Sequence, residues 1–193
     1  LIMKKILIGT HNKGKFREIS YLISKRYKKI SPLTLNLKSP KETGKSFISN
    51  SKLKANFFSK FVDYPVISDD SGLCIKALKE KPGIYSARLA KNYGSFLKAM
   101  QFILKKMKGK KNRSATFVCS LSYKNSSGKI TSVEGKIKGK ISTKILGKKG
   151  FGYDPIFIPS KKKITFGQMS KLRKIKMDHR YIAFQKLKKK IKI

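Results

Sequence analysis

The sequence predicts an α/β fold, a mixed central β-sheet flanked by helices, and three stretches carry that expectation. KKILIGT (residues 4–10) is a short apolar run ending in Gly-Thr, and the following KGKFREISYLISKRY has apolar residues at Phe16, Ile19, Leu22 and Ile23, a helical spacing. SATFVCSLSYKNSSGKITSVEGKIKGKIS alternates and is cut by SSG, the pattern of a β-hairpin. DHRYIAFQKLKKKIK places Tyr181, Phe184, Leu187 and Ile191 on one helical face. At 193 residues the chain fits one domain over 1–193, long enough for a real core and with room for two lobes.

Between these ends, SFISNSKLKANFFSKFV reads as a second helix with Phe47, Leu53, Phe57, Phe58, Phe61 and Val62 as its apolar set. YPVISDDSGLCIKAL reads as a strand running into an acidic pair, a turn at Gly72 and a second short extended piece. KPGIYSARLA carries loop chemistry, and SFLKAMQFILKKM is amphipathic and helical. GKKGFGYDPIFIPS leads into a last strand, then KITFGQM precedes the terminal helix.

Forty-eight Lys and Arg against nine Asp and Glu give a formal charge of +39. Such a charge would suit a polyanion. Only six of the basic residues are Arg, at 17, 26, 88, 113, 173 and 180, and the lysines are spread over nearly every segment. Base-reading proteins rely on the arginine fork, so nucleic acid is not the expected partner, and a coding bias accounts for the lysines. Cys74 and Cys119 lie far apart in apolar runs, which points to buried reduced thiols and a cytoplasmic protein. No apolar run reaches the about 18 residues that a membrane span needs. LIMKKILIGT turns polar too soon for a signal peptide, and Met3 is read as the natural start, with Leu1 and Ile2 preceding it.

Four segments carry candidate chemistry. GTHNKGKF, between a strand and a helix, offers backbone N–H groups and a positive helix end, to which Thr10, Asn12 and Lys15 add a hydroxyl, an amide and a charge suited to phosphate oxygens. It matches the start of a P-loop, but Phe16 stands where the magnesium-binding Ser or Thr is required, which excludes that reading. Among the acids, Asp63, Glu80 and Glu134 read as solvated charges, and Glu18 could orient Lys15 or favour the helix dipole. Glu42, Asp69 and Asp70 lie near glycine-containing turns, and two or three carboxylates facing a phosphate pocket suit magnesium. In GFGYDP, Phe151 or Tyr153 can stack on a ring and Asp154 can accept hydrogen bonds. In KIKMDHR, Lys174, His179 and Arg180 are donors suited to the carbonyl oxygens of a base, behind Asp178 as a helix cap.

THNKGK, ETGKSF, SDDSGL, PGIYSAR, GFGYDPIF, TFGQM and DHRYIAF, in that order from residue 10 to 184, resemble the inosine triphosphate pyrophosphatase family. The resemblance implies two lobes with a nucleotide-binding cleft between them. It implies hydrolysis of inosine, deoxyinosine and xanthosine triphosphates to the monophosphate and pyrophosphate, with Mg2+, by a homodimer. Carried over by position, Thr10, His11, Asn12, Lys13, Gly14 and Lys15 hold the triphosphate, helped by Lys54. Glu42 and Asp70 bind the metal, Asp70 is the catalytic base, and Ser71 contacts substrate. Phe151 stacks on the base, with Gly152, Tyr153, Asp154, Lys174, His179 and Arg180 forming the rest of its pocket. Asp69 is then a supporting hydrogen-bond acceptor or a second metal contact through water.

Three positions depart from the pattern: Ser49 and Gln168 replace acids usual in the family, and Asp178 replaces a serine. The first departure implies weaker organisation of the metal. Two alternatives stand beside this reading: a septum-inhibitor-like nucleotide pyrophosphatase acting on pyrimidine or modified nucleotides, and a basic nucleic-acid-binding module.

Overall fold

The computed structural model of the chain describes residues 3–191 and 193; Leu1 and Ile2, taken as preceding the natural start, and Lys192, at the end of the expected terminal helix, lie outside the described residues. Among the described residues seven strands form one mixed sheet: β1 (Lys4–Ile8), β2 (Tyr27–Ile30), β3 (Val66–Ile75), β4 (Lys81–Pro82), β5 (Ser114–Lys124), β6 (Ile130–Ile141) and β7 (Phe157–Pro159). The strand order is β2-β1-β3-β5-β6-β7, with β4 paired to β3. β1 runs parallel to β2 and to β3, whereas β4 on β3 and β7 on β6 are antiparallel. Among the described residues six α-helices accompany the sheet: α1 (Lys13–Leu22), α2 (Phe47–Phe58), α3 (Ser86–Asn92), α4 (Phe96–Lys106), α5 (Lys171–Ile175) and α6 (His179–Lys188).

The chain divides into two compact units. The first takes the chain up to Asp70, Cys119–Gly135 and the chain from Arg180 onward. Its core gathers Ile6, Ile8, Ile19, Ile67, Leu121, Phe184 and Leu187, so that the apolar stripes of α1 and α6 are buried with strands β1, β3 and β5. A smaller cluster of Leu7, Phe58 and Val66 seats α2. A chain of buried hydroxyls also fixes α2, because Ser51 Oγ lies 2.9 Å from Ser120 Oγ and 2.8 Å from Ser122 Oγ, both on β5.

The second unit comprises Ser71–Val118 and Lys136–His179. Leu73, Ile75, Met100, Ile103, Phe117, Tyr153, Phe157 and Phe166 form its core. The three phenylalanines meet as tilted or stacked rings with centroids 4.5–6.2 Å apart. Arg113 donates to the carbonyls of Met107, Ile141 and Ser142 and ties the start of β5 to the end of β6.

Several sequence expectations change. The acidic pair is not followed by a turn: β3 continues unbroken from Val66 to Ile75, and Gly72 lies within it. A Cβ on Gly72 would run into the Gly83 carbonyl and the Ser86 hydroxyl, so glycine is required there by close backbone approach. KPGIYSARLA is not a loop throughout, since residues from Ser86 onward form α3. The helical spacing over residues 13–27 overruns the helix, since α1 ends at Leu22 and Tyr27–Ile30 form β2, and Lys171–Ile175 form a further helix, α5. Cys74 and Cys119 are buried and not joined in a disulfide, as expected. Among the described residues, no helix is long and apolar enough to cross a membrane.

Candidate active site

The first group of site residues belongs to the unit that holds β1, α1, α2 and the first half of β3. The β1–α1 loop is shaped by the polar side chains predicted for it. Asn12 caps α1, its side chain accepting from the Lys15 N–H at 3.0 Å, and Thr10 Oγ1 accepts from the Asn12 N–H at 3.2 Å. His11 Nε2 lies 2.7 Å from the Leu37 carbonyl and Nδ1 lies 2.8 Å from the Ser39 hydroxyl, so the ring straps the loop to residues 37–39. Lys13 is exposed, and Gly14 sits in the first turn of α1, where helix N–H groups and the dipole favour an anion.

Asp69 and Asp70 sit in mid-strand on β3, both buried. Lys15 Nζ is 3.0 Å from Asp69 Oδ2, and Arg180 Nη2 is 3.8 Å from the same oxygen. Arg180 also donates to Glu18, and this pair links the start of α6 to the middle of α1. Glu18 therefore serves Arg180, where the sequence reading had it orient Lys15 or favour the dipole. Arg180, expected beside His179 in a base pocket, has its guanidinium on two carboxylates of the first unit.

Asp70 takes a different partner. Asn50 Nδ2 donates to Asp70 Oδ2 at 3.0 Å, while Asn50 Oδ1 accepts from the Gly44 N–H at 2.8 Å. Four residues on, along the same face of α2, Lys54 Nζ donates to Glu42 Oε1 at 2.7 Å. Burial raises the pKa of both aspartates, but the outcome differs. At Asp69 the fields of Lys15, Lys54 and Arg180 overcome burial and pull the carboxyl down to about 2. At Asp70 burial prevails, with Glu42 adding to it against Lys15 and Lys54, and the pKa is raised. Burial pulls the Lys54 ammonium down, yet Asp69, Glu42 and Asp70 together raise it.

Glu42 and Asp70 are near enough for one carboxylate to disfavour charge on the other, a repulsion that a cation would relieve. Among the described residues, no three His, Cys, Asp or Glu stand together as a metal cluster. Magnesium commonly uses only one or two carboxylates, with waters and substrate phosphates completing its shell, so this oxygen pair fits it.

The second group belongs to the other unit. Ser71, the next residue along β3, is half-buried. Gly150 and Gly152 have φ of +74° and +64°, the left-handed region, and wrap the chain round Asp154. Asp154 Oδ2 accepts from the Phe151 N–H at 2.9 Å and from Lys174 Nζ at 2.7 Å. The Lys174 ammonium lies 4.5 Å from the centre of the half-buried Phe151 ring and 4.0 Å from Asp178. His179 stacks on Phe117, with centroids 4.8 Å apart and planes 10° apart. The Tyr153 side chain lies in the core: its hydroxyl donates to the Ser86 carbonyl at 2.7 Å, its ring meets Phe96 edge-on, and burial raises its pKa.

Two of the departures from the expected pattern turn out to be capping positions. Ser49 and Ser46 form a reciprocal capping box at the start of α2, and Gln168 forms one with Thr165 at a 3₁₀ turn over Phe166–Gln168. Both positions are the third of a helical turn, where glutamate or glutamine is the usual partner of a Ser or Thr cap. Asn50, which bonds the Asp70 carboxylate, is a candidate-site residue that the sequence motifs do not single out. The available signal was its spacing of four from Lys54 on one helical face.

A model of the Ham1 family matches residues 6–190. The dITP/XTP pyrophosphatase of Dictyoglomus thermophilum is 39% identical over 189 residues, covering 95% of this chain and 92% of that protein. The dITP/XTP pyrophosphatase of Borreliella burgdorferi is 41% identical over 197 residues, covering 97% and 96%. The solved structure of the Staphylococcus aureus Ham1 protein superimposes with a TM-score of 0.85 at 34% identity, covering 96% of this chain and 97% of that one. This chain belongs to the Ham1 family.

Proposed function

We propose that the protein is a pyrophosphohydrolase that converts non-canonical purine nucleoside triphosphates (inosine, deoxyinosine and xanthosine) to the monophosphate and pyrophosphate. The relatives named dITP/XTP pyrophosphatase support the substrate class. The observation that carries the chemistry is the divergence of two neighbouring carboxylates, Asp69 pulled down to about 2 and Asp70 raised, beside a lysine-rich loop at a helix start.

In this reading water adds to the α-phosphorus, the bond to the α–β bridging oxygen breaks, and pyrophosphate leaves with its electron pair. Asp70, whose Oδ2 is oriented by the Asn50 amide, takes the proton from the attacking water as general base. Lys15, Lys54 and the backbone from Thr10 to Lys15 neutralise and orient the triphosphate. Glu42 and Asp70 would hold a Mg2+ ion, which supplies neutralisation of phosphate charge when bound. Phe151 stacks on the base, and Lys174, held by Asp154, and His179 donate to its carbonyl edge. Such donors would stand unpaired against the amino group of adenine, which sets the preference for six-oxo purines. The same reading expects a cytoplasmic homodimer, which size measurement in solution tests.

The deciding assay compares inosine, xanthosine, guanosine, adenosine and thymidine triphosphates, with and without Mg2+, by release of pyrophosphate and of phosphate. Selective release of pyrophosphate from the first two, lost with chelator, is expected. Equal turnover of all five, or phosphate as product, overturns the reading.

A further inference from the structure

We infer that Asn50 is a positioning residue that sets the spacing of Glu42 and Asp70, and so the geometry they offer to a divalent cation; this rests on the proposed hydrolysis. The side chain is fully buried and both ends of its amide are engaged. Its oxygen accepts from the N–H of Gly44, two residues beyond Glu42 in the loop that leads to α2, and its nitrogen donates to Asp70 Oδ2 on β3. The Gly44 N–H can only donate, so it dictates which end of the amide faces Asp70. The donor is thereby turned to the carboxylate and holds its Oδ2.

One side chain thus joins the backbone that carries the first carboxylate to the carboxyl of the second. Lys54, four residues along the same face of α2, grips Glu42 Oε1 itself. α2 cannot easily shift to loosen this bracket. Ser46 and Ser49 close its first turn reciprocally, and Ser51 is tied to Ser120 and Ser122 of β5. Gly44 also approaches α2 so closely that a Cβ there would meet Ser49 Oγ and the Asn50 side chain and backbone. Magnesium demands near-ideal octahedral geometry, which makes the separation of two ligating carboxylates a quantity worth holding rigidly. Groups that orient ligands typically cost about 10- to 100-fold in metal affinity or activity when removed.

The test uses the full chain with Asn50→Ala and, as a variant of similar shape and unchanged charge, Asn50→Leu, which removes both hydrogen bonds without adding a carboxylate beside Glu42 and Asp70. Two readouts are taken. Mn2+ is titrated into the nucleotide-free protein and followed by electron paramagnetic resonance, and kcat and KM for inosine triphosphate are measured with Mg2+. Both variants are expected to bind Mn2+ about 10- to 100-fold more weakly and to lose kcat by a similar factor, with KM for the nucleotide changed less than about threefold. Wild-type Mn2+ affinity in the variants overturns the inference, whether or not activity falls, because a packing role alone would lower stability and leave the cation in place. Absence of hydrolysis by the wild-type protein would overturn the functional reading instead, and the Mn2+ comparison would still decide the role of Asn50.

Discussion

Lys15 Nζ stands 3.0 Å from Asp69 Oδ2, a contact between the first turns of α1 and the middle of β3 that keeps a wholly buried carboxylate ionised. Asp69 titrates at about 2 in the fold, against an ordinary value of 3.8, so as pH falls the unfolded chain takes up the proton first. The pair therefore contributes about 2 kcal/mol of stability that is fully present above about pH 4 and lost as pH falls towards 2. Denaturant unfolding between pH 7 and 2.5 measures this. Asp69→Asn should remove that slope and cost on the order of 3 kcal/mol at pH 7, because Lys15 and Arg180 lose their shared counter-charge.

Asp70 has the opposite sign. Its carboxylate is disfavoured by burial and by Glu42, so the folded state binds its proton more readily than the unfolded chain does. Asp70→Asn keeps the shape and an acceptor for Asn50 while removing the disfavoured charge. Its Tm at pH 7 should rise above wild type, while kcat for inosine triphosphate falls by about 10²- to 10⁴-fold. Retention of most activity would move the base role to another group.

Tyr153 separates scaffold from site. Its hydroxyl satisfies the Ser86 carbonyl, and the Ser86 hydroxyl in turn donates to Gly83 and accepts from the Leu73 N–H of β3. Tyr153→Phe should cost about 1–2 kcal/mol, or a fall in Tm of about 3–6 °C, with KM and kcat close to wild type at 25 °C. A large KM increase without loss of Tm would instead place the hydroxyl on the substrate.

Phe151 is half-buried, its backbone N–H held by Asp154 and its ring near the Lys174 ammonium. Stacking of a base on an aromatic ring is worth about 1–3 kcal/mol, so Phe151→Ala should raise KM for inosine triphosphate by about 10-fold or more, and Phe151→Tyr should restore it. Steady-state kinetics on both variants, with pyrophosphate release as the signal, reads this directly.

Much of the fold was legible because its signals are local. Helical spacing marked α1, α2, α4 and α6, and alternation broken by SSG marked the β5–β6 hairpin. β2 escaped because four residues of YKKI carry no period of their own and become a strand only by pairing with β1. The Gly72 turn was misread for a related reason: a glycine in an extended run looks like a turn until the Gly83 backbone is seen lying against it.

The sequence by itself determined which chemistry was available. Six of its nine acids, Glu18, Glu42, Asp69, Asp70, Asp154 and Asp178, stand in the two groups of candidate site residues, and the order of SDDSGL with THNKGK and GFGYDPIF points to the family. What each acid does was decided only in three dimensions. Asp69 and Asp70 are chemically identical neighbours, and the difference in their proton affinities comes from burial together with Lys15, Lys54, Arg180, Glu42 and Asn50, which converge from several segments. Arg180 reaches its partner Glu18 across 162 residues of sequence. Electrostatic energies depend on distance and on exclusion of water, and neither is a property of sequence spacing.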